Sequence, residues 1–175
     1  MKKITFLLLL LLTSCGVTQE YYGSYVYTPA NNELAKMWYR SHKELVREID
    51  SAAKLQMQDS AWLRKSLSHI PEYGCLFFNV NGTDRGNANP TNWDFLIQDM
   101  RGKDLQRTQG HFVIAHSPDN YPYWIANDID TILVDIPDTF RVFAICRASN
   151  QKTDFVVFKD NTHPKLHKMP DGTLY

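Results

Sequence analysis

Pro71 separates two hydrophobic rhythms, and no single type of secondary structure can satisfy both. From Asn31 to Ile70 the apolar residues Leu34, Trp38, Leu45, Ile49, Ala52 and Ala53, then Ala61, Leu63, Leu67 and Ile70, recur mostly three, four or seven apart. That spacing places them on one stripe of a helix. Asn31 or Asn32 is a suitable cap with Glu33 in the first turn, and Asp59 or Ser60 suits the start of a second, shorter helix. The opposite face carries Lys43, Glu44, Arg47, Glu48, Lys54, Arg64 and Lys65, a mixed solvated surface.

Beyond Pro71 the period becomes two. Residues 74–81, 93–98, 111–116, 121–125, 131–136, 140–147 and 154–159 read as seven short strands with turn residues between them and no helical stretch intervening. The segment 121–125 contains Pro122, which places it at an edge. The expected fold is therefore α+β, with a helical segment (31–70) packed on a seven-stranded antiparallel β-sandwich (71–160). A helix lying on one sheet would explain why the strand Phe140–Arg147 is apolar on both faces in its middle. Residues 161–175 are polar, contain two prolines and read as a loose tail.

The N-terminus follows a different logic. Lys2 and Lys3 precede the apolar run Ile4–Leu12, which at nine residues is less than half of the roughly 20 that a spanning helix needs. Next comes Leu12-Thr13-Ser14-Cys15-Gly16. This order resembles the signal peptide and lipobox of bacterial lipoproteins, and the resemblance covers only about the first fifteen residues. It implies cleavage after Ser14, acylation of Cys15 and anchorage to a membrane, each buried methylene contributing about 0.8 kcal/mol. Gly16 stands where an inner-membrane retention aspartate would stand in enterobacteria-like systems, and Gly16-Val17-Thr18-Gln19-Glu20 lacks the acidic cluster of surface-exported lipoproteins. The expectation is an outer-membrane protein facing the periplasm. Residues 15–30, with Tyr21, Tyr22, Tyr25 and Tyr27, read as a lipidated tether, or as tyrosines docking on the domain or a partner. Fifteen extended residues reach about 50 Å.

The whole chain has 19 basic and 19 acidic residues; loss of Lys2 and Lys3 with the signal leaves 17 against 19. Such a balance gives no reason to expect nucleic-acid binding. With Cys15 acylated, Cys75 and Cys146 remain, an even pair in an oxidising compartment. A bridge between them would close a loop of about seventy residues and stabilise the fold by about 3–4 kcal/mol. The alternative is two buried thiols packing as small hydrophobes.

The search for chemistry yields no convergent set. His111 and His116 are five apart, which on one strand sends them to opposite faces. His163 and His167, with Met169 nearby, have the spacing of a loose metal grip but no scaffold. Asp84, Asp119, Asp128 and Asp130 would approach a calcium site only if their loops gathered, and aspartate is common in turns for its own reasons. No Gly-x-Ser-x-Gly elbow occurs. The segment Gly82–Asn92 lacks the Gly-Lys-Ser/Thr ending of a phosphate loop. No metal or other cofactor is expected.

The order Cys75, Trp93, Cys146 invites comparison with immunoglobulin domains, but Trp93 lies too far from Cys75, and Ala144 occupies the position of the expected tyrosine. Only the architecture is shared. The general plan, a lipid anchor on a small β-sandwich, is similar to that of lipoprotein subunits of type VI secretion envelope complexes, an analogy that carries no residue across. The expected role is a non-catalytic binding or structural subunit of a cell-envelope assembly with a protein partner. Its contacts would come from the long loop (Asp84, Asn87, Asn89, Asn92) and the aromatic cluster Tyr121, Tyr123 and Trp124. Two alternatives stand beside it: capture of a small molecule or glycan through Asp84, Asn87, Asn89, Asn92 and Tyr121, and a hydrolase whose site is assembled only in three dimensions.

Overall fold

A computed structural model describes residues 24–27, 34–119 and 121–159. The expected signal peptide, Cys15, Tyr21, Tyr22, and the histidines and methionine of the tail lie outside the described residues.

The strands are β1 (Tyr25–Tyr27), β2 (Ala35–Arg40), β3 (Cys75–Gly82), β4 (Trp93–Asp99), β5 (Asp104–Gln109), β6 (Trp124–Thr131), β7 (Thr139–Cys146) and β8 (Gln151–Phe158). Helices α1 (His42–Leu55) and α2 (Ser60–Leu67) separate β2 from β3, and a 3-10 turn (Pro90–Asn92) precedes β4. The strands form two antiparallel sheets, one of five in the order β1-β8-β7-β4-β5 and one of three in the order β2-β3-β6. The fold is α+β as expected, with eight strands among the described residues rather than seven.

The sheets face each other across a single core. Alternation sends Met37, Tyr39, Leu76, Phe78 and Val80 inward from the small sheet. Trp93, Phe95, Ile97, Phe140, Val142, Phe155 and Val157 meet them from the large one. Phe78 and Phe95 stack across the interior, centroids 3.7 Å apart and planes 7° apart. Tyr39 meets Phe140 edge-to-face at 5.5 Å. Burial of Tyr39, with Glu44 and Cys75 adding to it, pushes its phenol up to about 12.

Several sequence expectations need correction. Of the stretch expected to be helical, Ala35–Arg40 is a strand and the helix starts at His42, because Ala35, Met37 and Tyr39 alternate inward while Lys36, Trp38 and Arg40 point out. Residues 111–116 form no strand; only His116 pairs, through an isolated bridge to Ile125. The short strand expected at 121–125 begins instead at Trp124 and runs to Thr131, and 132–136 is irregular. Polar β5 was not expected at all. Within the stretch read as tether, Tyr25–Tyr27 is the edge strand paired to β8.

The helices also sit elsewhere than expected. No helical side chain joins the core, α1 buries only Ala53 and α2 buries none of its residues. Their placement follows from the entry and exit of the connection. Ser41 caps α1 directly after β2, accepting a hydrogen bond from the Glu44 backbone N–H (3.3 Å), and the Glu44 carboxylate accepts one from the Ser41 N–H at 2.7 Å. The same carboxylate accepts a hydrogen bond from the Ser24 N–H at 2.9 Å, which fixes where the N-terminal segment enters the domain. Burial opposes the charged form of Glu44, yet the backbone and hydroxyl donors of Ser41 and Ser24 together hold its pKa below the usual value. The return from α2 needs Gly74, whose φ is +90° and whose Cα faces the Arg40 carbonyl so closely that a Cβ would lie 2.2 Å from that oxygen.

Candidate functional site

The outer face of the three-stranded sheet is where alternation leaves apolar side chains in solvent. Register places Trp38 opposite Phe77, and Phe77 opposite Ile129, so the three form one row across the sheet. Trp38 is 45% exposed, Ile129 52%, and Phe77 half-buried between them. With strands about 4.8 Å apart, such a row is about 10 Å long. The adjacent row is Lys36, Asn79 and Asn127, and the Asn79 amide donates to the Asn127 oxygen at 2.8 Å. On the opposite flank Arg40 pairs with Glu48 of α1 at 2.9 Å. The capping box that starts α1 immediately after Arg40 is what brings Glu48, one turn beyond Glu44, to this flank. The result is an open groove of about 440 Å³ with an apolar floor and polar rims.

Behind this face lies a polar seam. Asp128 and Asp130, expected in a loop, are on β6 and point into the sandwich, both buried. Burying a carboxylate is costly unless it is bonded, and each finds its partners on or just after β5. Thr108 donates to the Asp130 carboxylate. The His111 backbone N–H donates to Asp128 at 2.8 Å, and the His111 ring nitrogen Nδ1 lies 3.1 Å from the other oxygen. Gln106 donates to the Thr131 carbonyl and accepts from the Leu133 N–H, both at 2.8 Å. Burial pushes the Asp130 pKa up and the neighbouring Asp128 charge adds to that, while Thr108 and His111 work against it. These groups close the gap between edge strands of the two sheets. Two carboxylates beside an imidazole superficially suit proton transfer, but their oxygens are engaged with β5, its following segment and their own strand.

Gly82 pairs with Trp124, so the long loop starts beside the aromatic segment. The Asp84, Asn87, Asn89 and Asn92 side chains bond within the loop itself. Asp84 accepts from the Asn87 backbone and side chain at 2.9 and 2.7 Å. Asn89 caps the 3-10 turn, and Asn92 donates to the Gly86 carbonyl at 2.8 Å. Trp93 donates its indole N–H to Asn87. The loop packs back so tightly that a Cβ on Gly82 would fall 2.4 Å from the Ala88 nitrogen. Tyr121 and Tyr123 meet edge-to-face at 5.7 Å, and Trp124 packs against the core. A second hollow of about 350 Å³ lies between this loop and Phe112–Ala115, where Phe112 and Ile114 are exposed.

Cys75 and Cys146 are both buried, free thiols on different sheets, which is the second of the two alternatives read from the sequence. Burial raises the Cys75 pKa against a hydrogen bond with Thr131, and the Asp130 charge adds to the rise. Asp84 and Asp119 do not join Asp128 and Asp130, and no three His, Cys, Asp or Glu side chains converge as a metal-holding group among the described residues. No described helix is long and apolar enough to cross a membrane. The groove row was invisible to sequence reasoning because it is defined by register; the one available signal was the period-two pattern of Ala35–Arg40. The chain matches no family model, no curated protein and no solved structure.

Proposed function

We propose that this protein is a lipid-anchored, non-catalytic binding subunit of the bacterial cell envelope, held at the outer membrane, facing the periplasm and using the open face of its small sheet as the working surface. The observation that carries the reading is the cross-strand row Trp38, Phe77 and Ile129, left in solvent beside polar groups on both flanks. Its support at the N-terminus is the order Lys2-Lys3, Ile4–Leu12 and Leu12-Thr13-Ser14-Cys15. From Cys15 to the Ser24 anchor on Glu44, nine residues reach about 30 Å when extended, so the domain would work within a short radius of the bilayer.

The reading is tested in two arms. Labelled palmitate should enter the wild-type chain, and Cys15→Ser should lose both label and membrane fractionation. A photo-crosslinking residue at position 38 should capture an envelope component in intact cells, and the same residue at position 98, on the large sheet, should not. An unlabelled wild-type chain, or equal capture at both positions, would contradict the reading.

A further inference from the structure

The groove on the small sheet carries a mixture of chemistries that narrows what can fill it. A stable protein interface buries about 800 Å² per partner. Here the open apolar floor is three side chains, about 10 Å long, and α1 contributes Glu48 to one flank. A flat, largely apolar partner would leave those rims unpaired, which costs free energy. The Arg40–Glu48 pair cancels its own charge, and Asp128, which also borders the groove, is buried with its oxygens bonded to His111, so the flank offers donors and acceptors without a strong field for a charged ligand. Lys36 adds one positive charge, at the end of the amide row. The Asn79–Asn127 bond engages one donor and one acceptor, whereas a primary amide offers two donors and an oxygen with two lone pairs.

A ligand suited to these features has a flat apolar side, a perimeter of alternating donors and acceptors, and no charge. A pyranose ring has that form. Its axial C–H bonds make one face apolar and slightly positive, complementary to the negative face of an indole or phenyl ring. Its equatorial hydroxyls each donate and accept, as the Asn127 amide and the Arg40–Glu48 pair require. We infer that the groove of Trp38, Phe77 and Ile129, rimmed by Asn127 and by Arg40 with Glu48, is a binding site for an uncharged saccharide chain, with room for two rings laid along the row. This rests on the reading of the protein as an envelope-binding subunit and names what its working surface holds. It also moves saccharide binding away from Asp84, Asn87, Asn89 and Asn92, whose side chains fold their own loop.

The test uses the full-length lipidated protein in detergent. Calorimetric titration with chitohexaose and with cellohexaose distinguishes an acetamido-sugar chain from a plain glucan, and hyaluronate serves as the charged probe. Saturable binding of either neutral hexasaccharide is expected. Trp38→Ala should weaken it at least tenfold, Trp38→Phe should retain part of it, and Asn127→Ala should weaken it severalfold. Gln98→Ala, on the large sheet, should leave it unchanged. Circular dichroism and melting of each variant separate lost binding from lost folding. Absence of binding by both neutral probes at millimolar concentration, equal binding by wild type and a folded Trp38→Ala, or binding of hyaluronate alone would overturn the inference. Crosslinking from position 38 to an envelope protein, with no saccharide bound, would overturn this inference and leave the envelope reading standing. Failure of Cys15 lipidation would do the reverse.

Discussion

The two sheets both send apolar residues outward, but only one of them hides these residues. On the large sheet Phe143 faces out from the middle of β7 and is only 3% exposed, with Leu96 of β4 beside it also buried. Lys152 lies over the Phe143 ring at 3.7 Å from its centroid, and Arg141 at 5.0 Å, with Arg141 paired to Asp154. Long cationic side chains cover the ring with their stems and keep their charges hydrated, and the ring face attracts the cation. A helix was the expected cover for this strand; among the described residues, Lys152 and Arg141 lie over the Phe143 ring. On the small sheet the corresponding row has no such cover among the described residues. Arg40 is drawn aside to Glu48, and Asn79 to Asn127, which leaves Trp38 and Ile129 open. The same alternation thus yields a sealed face or an open one, depending on where the neighbouring polar side chains find their partners.

The largest expected effect separates the two faces by stability. Phe143→Ala should cost about 3 kcal/mol or more in urea unfolding, because it removes a buried ring from a covered site. Trp38→Ala should cost less than about 1 kcal/mol, as an exposed side chain does. Similar losses at both positions would erase the distinction. Lys152→Met tests the cover itself: it keeps the stem, loses the cation–π attraction and should lower stability by about 0.5–1 kcal/mol, the difference shrinking in high salt.

Two carboxylates, buried Asp130 and half-buried Glu44, give opposite pH signatures. The Asp130 pKa is raised in the folded state, so its ionisation works against folding as pH climbs above the usual carboxylate value. Asp130→Asn should therefore hold or raise stability at pH 7 relative to wild type, with that benefit gone near pH 3. The Glu44 pKa is lowered, so its contribution is present above the unfolded value and lost as pH falls through the folded one. Glu44→Gln should lower stability at pH 7 and flatten the loss on acidification, read from urea midpoints at each pH. The smallest effect concerns the thiols. Cys75 and Cys146 should resist a maleimide reagent under native conditions and react fully in denaturant, and a non-reducing mass measurement should find both unbridged.

Strands whose inward residues are apolar were legible. Cys75–Gly82, Trp93–Asp99, Thr139–Cys146 and Gln151–Phe158 lie within a few residues of their expected positions. The strands at the β5–β6 seam were not, for a common physical reason. On β5 the inward residues are Gln106 and Thr108, and on β6 they include Asp128 and Asp130; Thr108 bonds Asp130, Gln106 bonds the backbone of Thr131 and Leu133, and Asp128 bonds His111, so no hydrophobic alternation marks them. β2 was hidden because Leu34, Trp38 and Leu45 also fit a helical spacing, and only the inward Met37 and Tyr39 break the tie. The alternating stretch 111–116 gave the reverse error: its pattern is strand-like, but no neighbouring strand pairs with it beyond His116. The groove depends on register between β2, β3 and β6, which hydrophobic pattern alone does not specify.

Radical footprinting of the full-length protein reads both faces at once, purified in detergent and again in native envelopes. The account predicts rapid oxidation of Trp38 and slow oxidation of Phe143 in the purified protein, with Trp38 becoming protected in the envelope while Phe143 does not change. A Trp38 that is silent when purified, or labelled equally in both settings, would contradict the claim that the small sheet's outer face is the surface on which this protein works.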